Sequence, residues 1–225
     1  MSFRFKQFYI EDNKCAMKVG TDGVLLGAWC PKGTRILDVG TGSGLIARML
    51  MQRCPEAEVE GIDIDEAAVE QARENGVRAF QARLQDWKLD IGHCYDLIVS
   101  NPPYFQNSLK NPDKGREMAR HTDTLSYAEL IQHSARLLQE GGRLALILPA
   151  EAENEIREIA ARYSLYCTRA TRVYSKETKP VRRVLLSFVM TTVRNDDMAT
   201  DTLVLEDEKG GRSAAYSELT KDFYL

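Results

Sequence analysis

Two short stretches of this 225-residue chain carry the residue types best suited to chemistry. The first is Asn101-Pro102-Pro103-Tyr104, which follows the apolar run Asp96 to Ser100. A side-chain amide oxygen beside a main-chain carbonyl can accept both hydrogens of one amine. Two prolines stiffen the loop that presents them, so little order is lost when a ligand arrives. Tyr104 offers a face on which a planar ring can stack. The second stretch is Ile36-Leu37-Asp38-Val39-Gly40-Thr41-Gly42-Ser43-Gly44-Leu45, an apolar strand running into a glycine loop and then a helix. Glycines permit backbone angles closed to other residues and let a ligand approach the main chain. The N–H groups at the helix start suit a carboxylate or phosphate. Asp63, 19 residues past Gly44, closes the next apolar run, where a carboxylate can accept hydrogen bonds from both hydroxyls of a ribose.

Positioning these groups requires a sheet whose strand ends converge. Apolar runs mark strands at Arg35 to Val39, Val59 to Ile64, Val77 to Gln81, Asp96 to Ser100, Arg143 to Leu148, Tyr163 to Arg169 and Val184 to Met190. Helical patterns lie between them. Tyr127, Leu130, Ile131, Ser134, Leu137 and Leu138, for example, fall on one helix face. Alternation of strand and helix implies an α/β fold, a mainly parallel sheet covered on both faces. No helix is evident between the last two strands, which suggests a terminal antiparallel pair. Thr21 or Asp22 can cap a short helix carrying Val24, Leu25 and Leu26. The length suits a single domain of 225 residues, with 1–34 as an N-terminal lid, 35–192 as the core and 193–225 as a strand and helix extension.

The glycine loop alone is a weak signal, and its spacing refines it. A dinucleotide fingerprint GxGxxG would place glycine where Leu45 stands, whereas Asp38-Val39-Gly40-Thr41-Gly42-Ser43-Gly44 resembles the first motif of class I methyltransferases. That resemblance implies a Rossmann-like fold with a seven-stranded, mostly parallel sheet and one antiparallel strand near the end. It also implies S-adenosyl-L-methionine as cofactor, contacted by Asp38, Gly40, Gly42 and Gly44, with Asp63 on the ribose. The family often has an aspartate just after the third strand to hold the cofactor adenine. Here that register offers Arg83-Leu84, with Asp86 three residues late, so either the main chain around Leu84 or Asp86 would take that part.

Asn101-Pro102-Pro103-Tyr104 resembles the motif of methyltransferases that act on planar nitrogen. An adenine amine is a poor nucleophile because its lone pair is delocalised, so it must be held in line with the methyl group. Asn101 and the Pro102 carbonyl would turn the lone pair towards the sulfonium, and Tyr104 would stack a single-stranded or flipped-out base. His93, His121 and His133 have no metal-ligand spacing, so no metal is expected.

Enzymes with this motif act on adenine in DNA, adenine in RNA, or a glutamine of protein release factors. Release-factor enzymes carry a helical domain ahead of the glycine motif, and only 35 residues precede Ile36 here. DNA enzymes usually add a target-recognition domain. From Phe5 to Phe223-Tyr224-Leu225, and most clearly over Lys14 to Trp29, the chain resembles the tRNA1(Val) adenine-N6-methyltransferases. Those modify the adenosine next to the anticodon, position 37. The resemblance implies tRNA as partner, with ribosomal RNA or a release-factor glutamine as the alternative substrates, and places Lys18 and Thr21 near the cofactor mouth.

Charge is consistent with an RNA substrate. Net charge is -3, but residues 1–20 carry four basic and two acidic side chains, 105–122 four and two, and 168–183 six and one, which leaves -12 on the rest. Basic segments on an acidic body can form a polyanion-binding face, for which Arg116, Arg120 and Arg183 are the candidates. No apolar run approaches the length of a membrane span and no signal-peptide core is visible. Five scattered cysteines without a CxxC pair suggest reduced thiols, and with them a cytoplasmic protein.

Overall fold

A computed structural model of the chain describes residues 2–88, 94–103, 125–193 and 197–225. The first elements are a hairpin of β1 (Ser2–Arg4) and β2 (Tyr9–Glu11), then helix α1 (Thr21–Trp29). The body follows as β3 (Arg35–Val39), α2 (Leu45–Arg53), β4 (Glu58–Asp63), α3 (Glu66–Glu74), β5 (Arg78–Gln81) and β6 (Tyr95–Ser100). Helix α4 (Tyr127–Leu137) leads into β7 (Leu138–Pro149), followed by α5 (Glu153–Ala161), β8 (Leu165–Tyr174), β9 (Arg183–Met190), β10 (Ala199–Val204) and α6 (Ala214–Thr220).

Eight strands form one sheet in the order β10-β8-β9-β7-β6-β3-β4-β5. The pairs from β7 through β6, β3 and β4 to β5 are all parallel, and so is β10 on β8. Only β9 runs against both its neighbours, β7 and β8. This is the mostly parallel Rossmann-like sheet expected, enlarged by an eighth strand at the edge.

Alternation along each strand divides the interior into two layers. Ile36, Val59, Leu97, Val99, Ala145 and Ile147 face α1, α2 and α3, where Leu26, Ile46, Leu50 and Val69 meet them. Leu37, Val39, Ile98, Leu144, Leu146 and Phe188 face the opposite way, against Leu130, Ile131 and Leu137 of α4 and Ile156 and Ala160 of α5. Helix α4 starts on a capping box, in which Ser126 and Glu129 each bond the other's backbone N–H.

Several boundaries depart from the sequence reading. Strand β8 runs to Tyr174, not Arg169, and shifts register between Cys167 and Arg169. Its basic residues resemble a surface link in sequence, but Arg172 forms a two-pronged pair with Glu153 and Arg169 pairs with Asp201 while lying over the Trp29 ring. Strand β7 begins at Leu138, at the end of α4. Helix α1 is not capped by Thr21 or Asp22: its N-cap is Gly20, with no side-chain hydrogen bond. Asp22 stands in the first turn, where its carboxylate favours the helix N-terminus.

Candidate active site

The strand order reverses between β3 and β6. From β3 the chain proceeds to β4 and β5 on one side, and from β6 to β7 on the other. Ligands of open α/β sheets bind at such a point, beyond the carboxyl ends of the strands. A cavity of about 770 Å³ lies there, lined by the glycine loop, Asp63, the turn Ala82–Gln85, and Ser100 through Pro103. Residues Cys15 through Gly23 close the remaining side.

The glycine loop is held by β4. Gly40 and Thr41 donate their N–H groups to the Ile62 carbonyl at 2.9 and 3.0 Å, and Gly42 donates to Asp63 Oδ2 at 2.9 Å. Asp63 Oδ1 accepts from the Asp65 N–H at 3.0 Å, so the carboxylate that faces the cavity is fixed before a ligand arrives. The three glycines all have positive φ but serve different ends. A Cβ at Gly40 or Gly42 would meet nothing within 4 Å among the described residues, because both face the cavity. A Cβ at Gly44 would lie 2.7 Å from Val77 Cγ2, because Gly44 is where α2 starts against α3 and β5. Gly44, expected at the cofactor, therefore serves packing and does not line the cavity.

Asp38 likewise lies beneath the loop, fully buried. Its Oδ2 accepts from Thr41 Oγ1 at 2.8 Å and from the Ala47 N–H at 3.2 Å, while Oδ1 has no partner among the described residues. Burial pushes its pKa up to about 7, against the pull of those two hydrogen bonds and with a contribution from the Asp63 charge. Asp38 thus braces the loop from below and is not part of the cavity lining.

At the other end of the cavity, Ser100 Oγ bonds the Val39 carbonyl at 2.8 Å and ties the exit of β6 to that of β3. This places Asn101, Pro102 and Pro103 against the glycine loop across one cavity. Tyr104, Arg116 and Arg120 lie outside the described residues. Leu84 is buried and lines the cavity with Ala82, Arg83 and Gln85, whereas Asp86 is not part of the lining. The turn around Leu84, and not Asp86, therefore forms this part of the cavity wall.

Thr21 lines the cavity and so does Lys18, whose ammonium donates to the carbonyls of Asp12 and Cys15 at 2.7 and 2.9 Å. Lys18 thereby closes the loop on itself and spends its charge there. Arg183 donates from Nε to Asp22 Oδ2 at 2.9 Å, so it sits at the cavity's edge, since Asp22 is part of the wall. The basic stretch 168–183 is mostly paired: Arg169, Arg172, Lys176 and Arg183 each face a carboxylate.

Sequence reasoning missed Cys15, Ala16, Met17 and Ile64 as parts of the wall. Met17 and Ile64 are large apolar side chains, each about half exposed on this wall. Burial pushes the Cys15 thiol up to about 11, helped by the nearby Asp63 charge, so it remains a protonated apolar liner. Among the described residues, no group of three or more His, Cys, Asp or Glu side chains is placed to hold a metal ion, and no helix is long and apolar enough to cross a membrane.

The fold and the cavity define a class I S-adenosylmethionine-dependent methyltransferase. The open space above Gly40 and Gly42, the fixed Asp63 carboxylate and the apolar turn at Leu84 suit a nucleoside carrying an amino-acid tail. Residues 22–160 match the family model of the methyltransferase small domain. The chain is 44% identical to the tRNA1(Val) (adenine(37)-N6)-methyltransferase of Bacteroides fragilis over 99% of its own length and 97% of the relative's. It is 45% identical to the protein of that name from Parabacteroides distasonis, with the same coverage. Among solved structures, it shares the fold of a predicted O-methyltransferase from Agrobacterium tumefaciens, with TM-score 0.68, 18% identity and coverage of 90% and 96% of the two chains. The chain belongs to the methyltransferase small domain family and, within it, to the family of these tRNA1(Val) (adenine(37)-N6)-methyltransferases.

Proposed function

We propose that the chain methylates the exocyclic N6 amine of an adenine in tRNA, the adenosine at position 37 of tRNA1(Val), as its relatives' names state of them. The observation that carries this reading is the shared cavity: Asn101-Pro102-Pro103 at the end of β6 faces the glycine loop at the end of β3. A chain that modifies tRNA acts where tRNA is, which places it in the cytoplasm.

Bound S-adenosylmethionine supplies an electrophilic methyl group on a sulfonium. The chain's own residues bind, orient and exclude water. Asp63 would hold the ribose hydroxyls, the loop at Gly40 and Gly42 the polar tail, and the turn at Leu84 the adenine ring. Asn101 Oδ1 and the Pro102 carbonyl accept one amine hydrogen each, which turns the nitrogen lone pair towards the methyl carbon. Tyr104 stacks the flipped-out base, and Pro102 and Pro103 keep the acceptor loop from relaxing away. Accepting the methyl, whose bond to sulfur would be given up, would leave the amine positively charged. Its proton is then acidic and leaves to Asn101 or solvent, so no strong base is needed. Arg183, with Arg116 and Arg120, contributes phosphate contacts.

Asn101→Ala tests the acceptor role. Turnover should fall by at least a hundredfold, as when one oriented polar group is removed from a reaction centre. Affinity for S-adenosylmethionine should change by less than about threefold, because the substitution leaves the glycine loop and Asp63 in place. Near-normal turnover would remove Asn101 from the mechanism.

A further inference from the structure

Asn101 can act as an acceptor only if its oxygen, and not its NH2, is presented to the substrate amine. The two ends of a carboxamide are nearly the same size, and its terminal torsion is broad, so sterics alone leave both orientations open. Presenting the NH2 would set donor against donor. In the structure, Asn101 Nδ2 is turned to the sulfur of Met17 at 3.9 Å. A thioether accepts weak hydrogen bonds and cannot donate one, so it favours the NH2 end of the amide over the oxygen end.

Met17 is well placed for this. It lines the same cavity as Asn101, and the loop that carries it is pinned at several points. The Val19 N–H donates to Asp12 Oδ2 at 3.0 Å, and the Lys18 ammonium reaches the carbonyls on the near side of the loop. The Lys14 N–H and ammonium tie the loop to Gln71 and Glu74 of α3 at 3.3 and 2.7 Å. A segment so fixed delivers the sulfur to a defined place beside the acceptor motif, although the two lie 84 residues apart.

From this we infer that Met17 is a positioning residue for methyl transfer: its sulfur holds the Asn101 carboxamide with Oδ1 towards the incoming amine. The inference rests on the reading of Asn101 as the amine acceptor. It assigns to the N-terminal loop a part in catalysis distinct from covering the cofactor.

Met17→Leu keeps size and apolarity and removes the acceptor, while Met17→Gln returns an acceptor oxygen at similar reach. Unmodified tRNA1(Val) is the substrate, with kcat, KM and S-adenosylmethionine affinity measured for wild type and both variants. Met17→Leu should lower kcat about three- to tenfold, roughly 0.6 to 1.4 kcal/mol of barrier, with KM and cofactor affinity within about twofold of wild type. Met17→Gln should recover much of that loss. A Leu variant with wild-type kcat, a loss that appears in KM or cofactor affinity instead, or a Gln variant no better than Leu would overturn the inference while leaving the proposed function standing. Failure of the wild-type protein to methylate adenine would overturn the proposed function, and this inference with it.

Discussion

Gly42 and Gly44 stand two positions apart with similar backbone angles, φ +54° and +79°, yet alanine at each should fail in a different way. At Gly44 the new methyl would sit 2.7 Å from Val77 Cγ2 and 3.3 Å from Ala72 Cβ, on a left-handed backbone. The backbone term costs about 1–2 kcal/mol and the overpacking about 1–3, so Gly44→Ala should lose about 2–5 kcal/mol of folding stability. At Gly42 only the backbone term applies, about 1–2 kcal/mol, because nothing lies within 4 Å of the new carbon. There the methyl projects into the cavity, so S-adenosylmethionine affinity should fall about tenfold or more, a cost of about 1.4 kcal/mol. Urea unfolding without ligand measures the first effect, and calorimetric titration of S-adenosylmethionine measures the second. If Gly44→Ala unfolds like the wild type, or Gly42→Ala binds the cofactor unchanged, the division of labour argued for this loop is wrong.

Asp38 predicts a pH signature. Its folded pKa of about 7 lies above the ordinary 3.8, so the stability it contributes is full below the ordinary value and is lost as pH rises through about 7. Wild type should therefore lose stability relative to Asp38→Asn between about pH 4 and pH 7, with no further change above. Melting midpoints of both proteins across that range check this, and a constant difference would contradict it. Arg183→Ala removes a partly exposed pair with Asp22, so folding stability should change by less than about 1 kcal/mol. Its tRNA affinity should fall, with the slope of log affinity against log salt flatter by about one. Filter binding at several salt concentrations reads both, and an unchanged slope would take Arg183 off the RNA face.

The parts of the fold legible in the sequence were those with hydrophobic contrast. β3, β4, β6 and β9 are apolar runs bounded by glycine, charge or proline, and their ends in the structure fall within a residue or so of the sequence reading. β8 continues past Arg169, where the sequence turns basic and reads as a link, because Arg172 is matched by a carboxylate that no local pattern announces. β10, Ala199–Val204, is polar and mostly exposed, and forms only because β8 offers it an edge. The site follows the same logic. Gly40, Gly42, Asp63 and Asn101, which line the cavity, are legible because their spacing puts them at strand ends. Gly44 and Asp38 share the motif with the cavity-lining residues, and only their packing against Val77 and beneath Thr41 separates them. Met17 is an unremarkable methionine in sequence; only the folding of the N-terminal loop across the sheet edge brings its sulfur to Asn101.

The most direct test of the account is transfer of labelled methyl from S-adenosylmethionine to total tRNA, ribosomal RNA, DNA and a release factor, followed by digestion to identify the modified unit. The account predicts N6-methyladenosine in a single tRNA at the position next to the anticodon. Label confined to ribosomal RNA, or recovered as methylglutamine from the release factor, would contradict it.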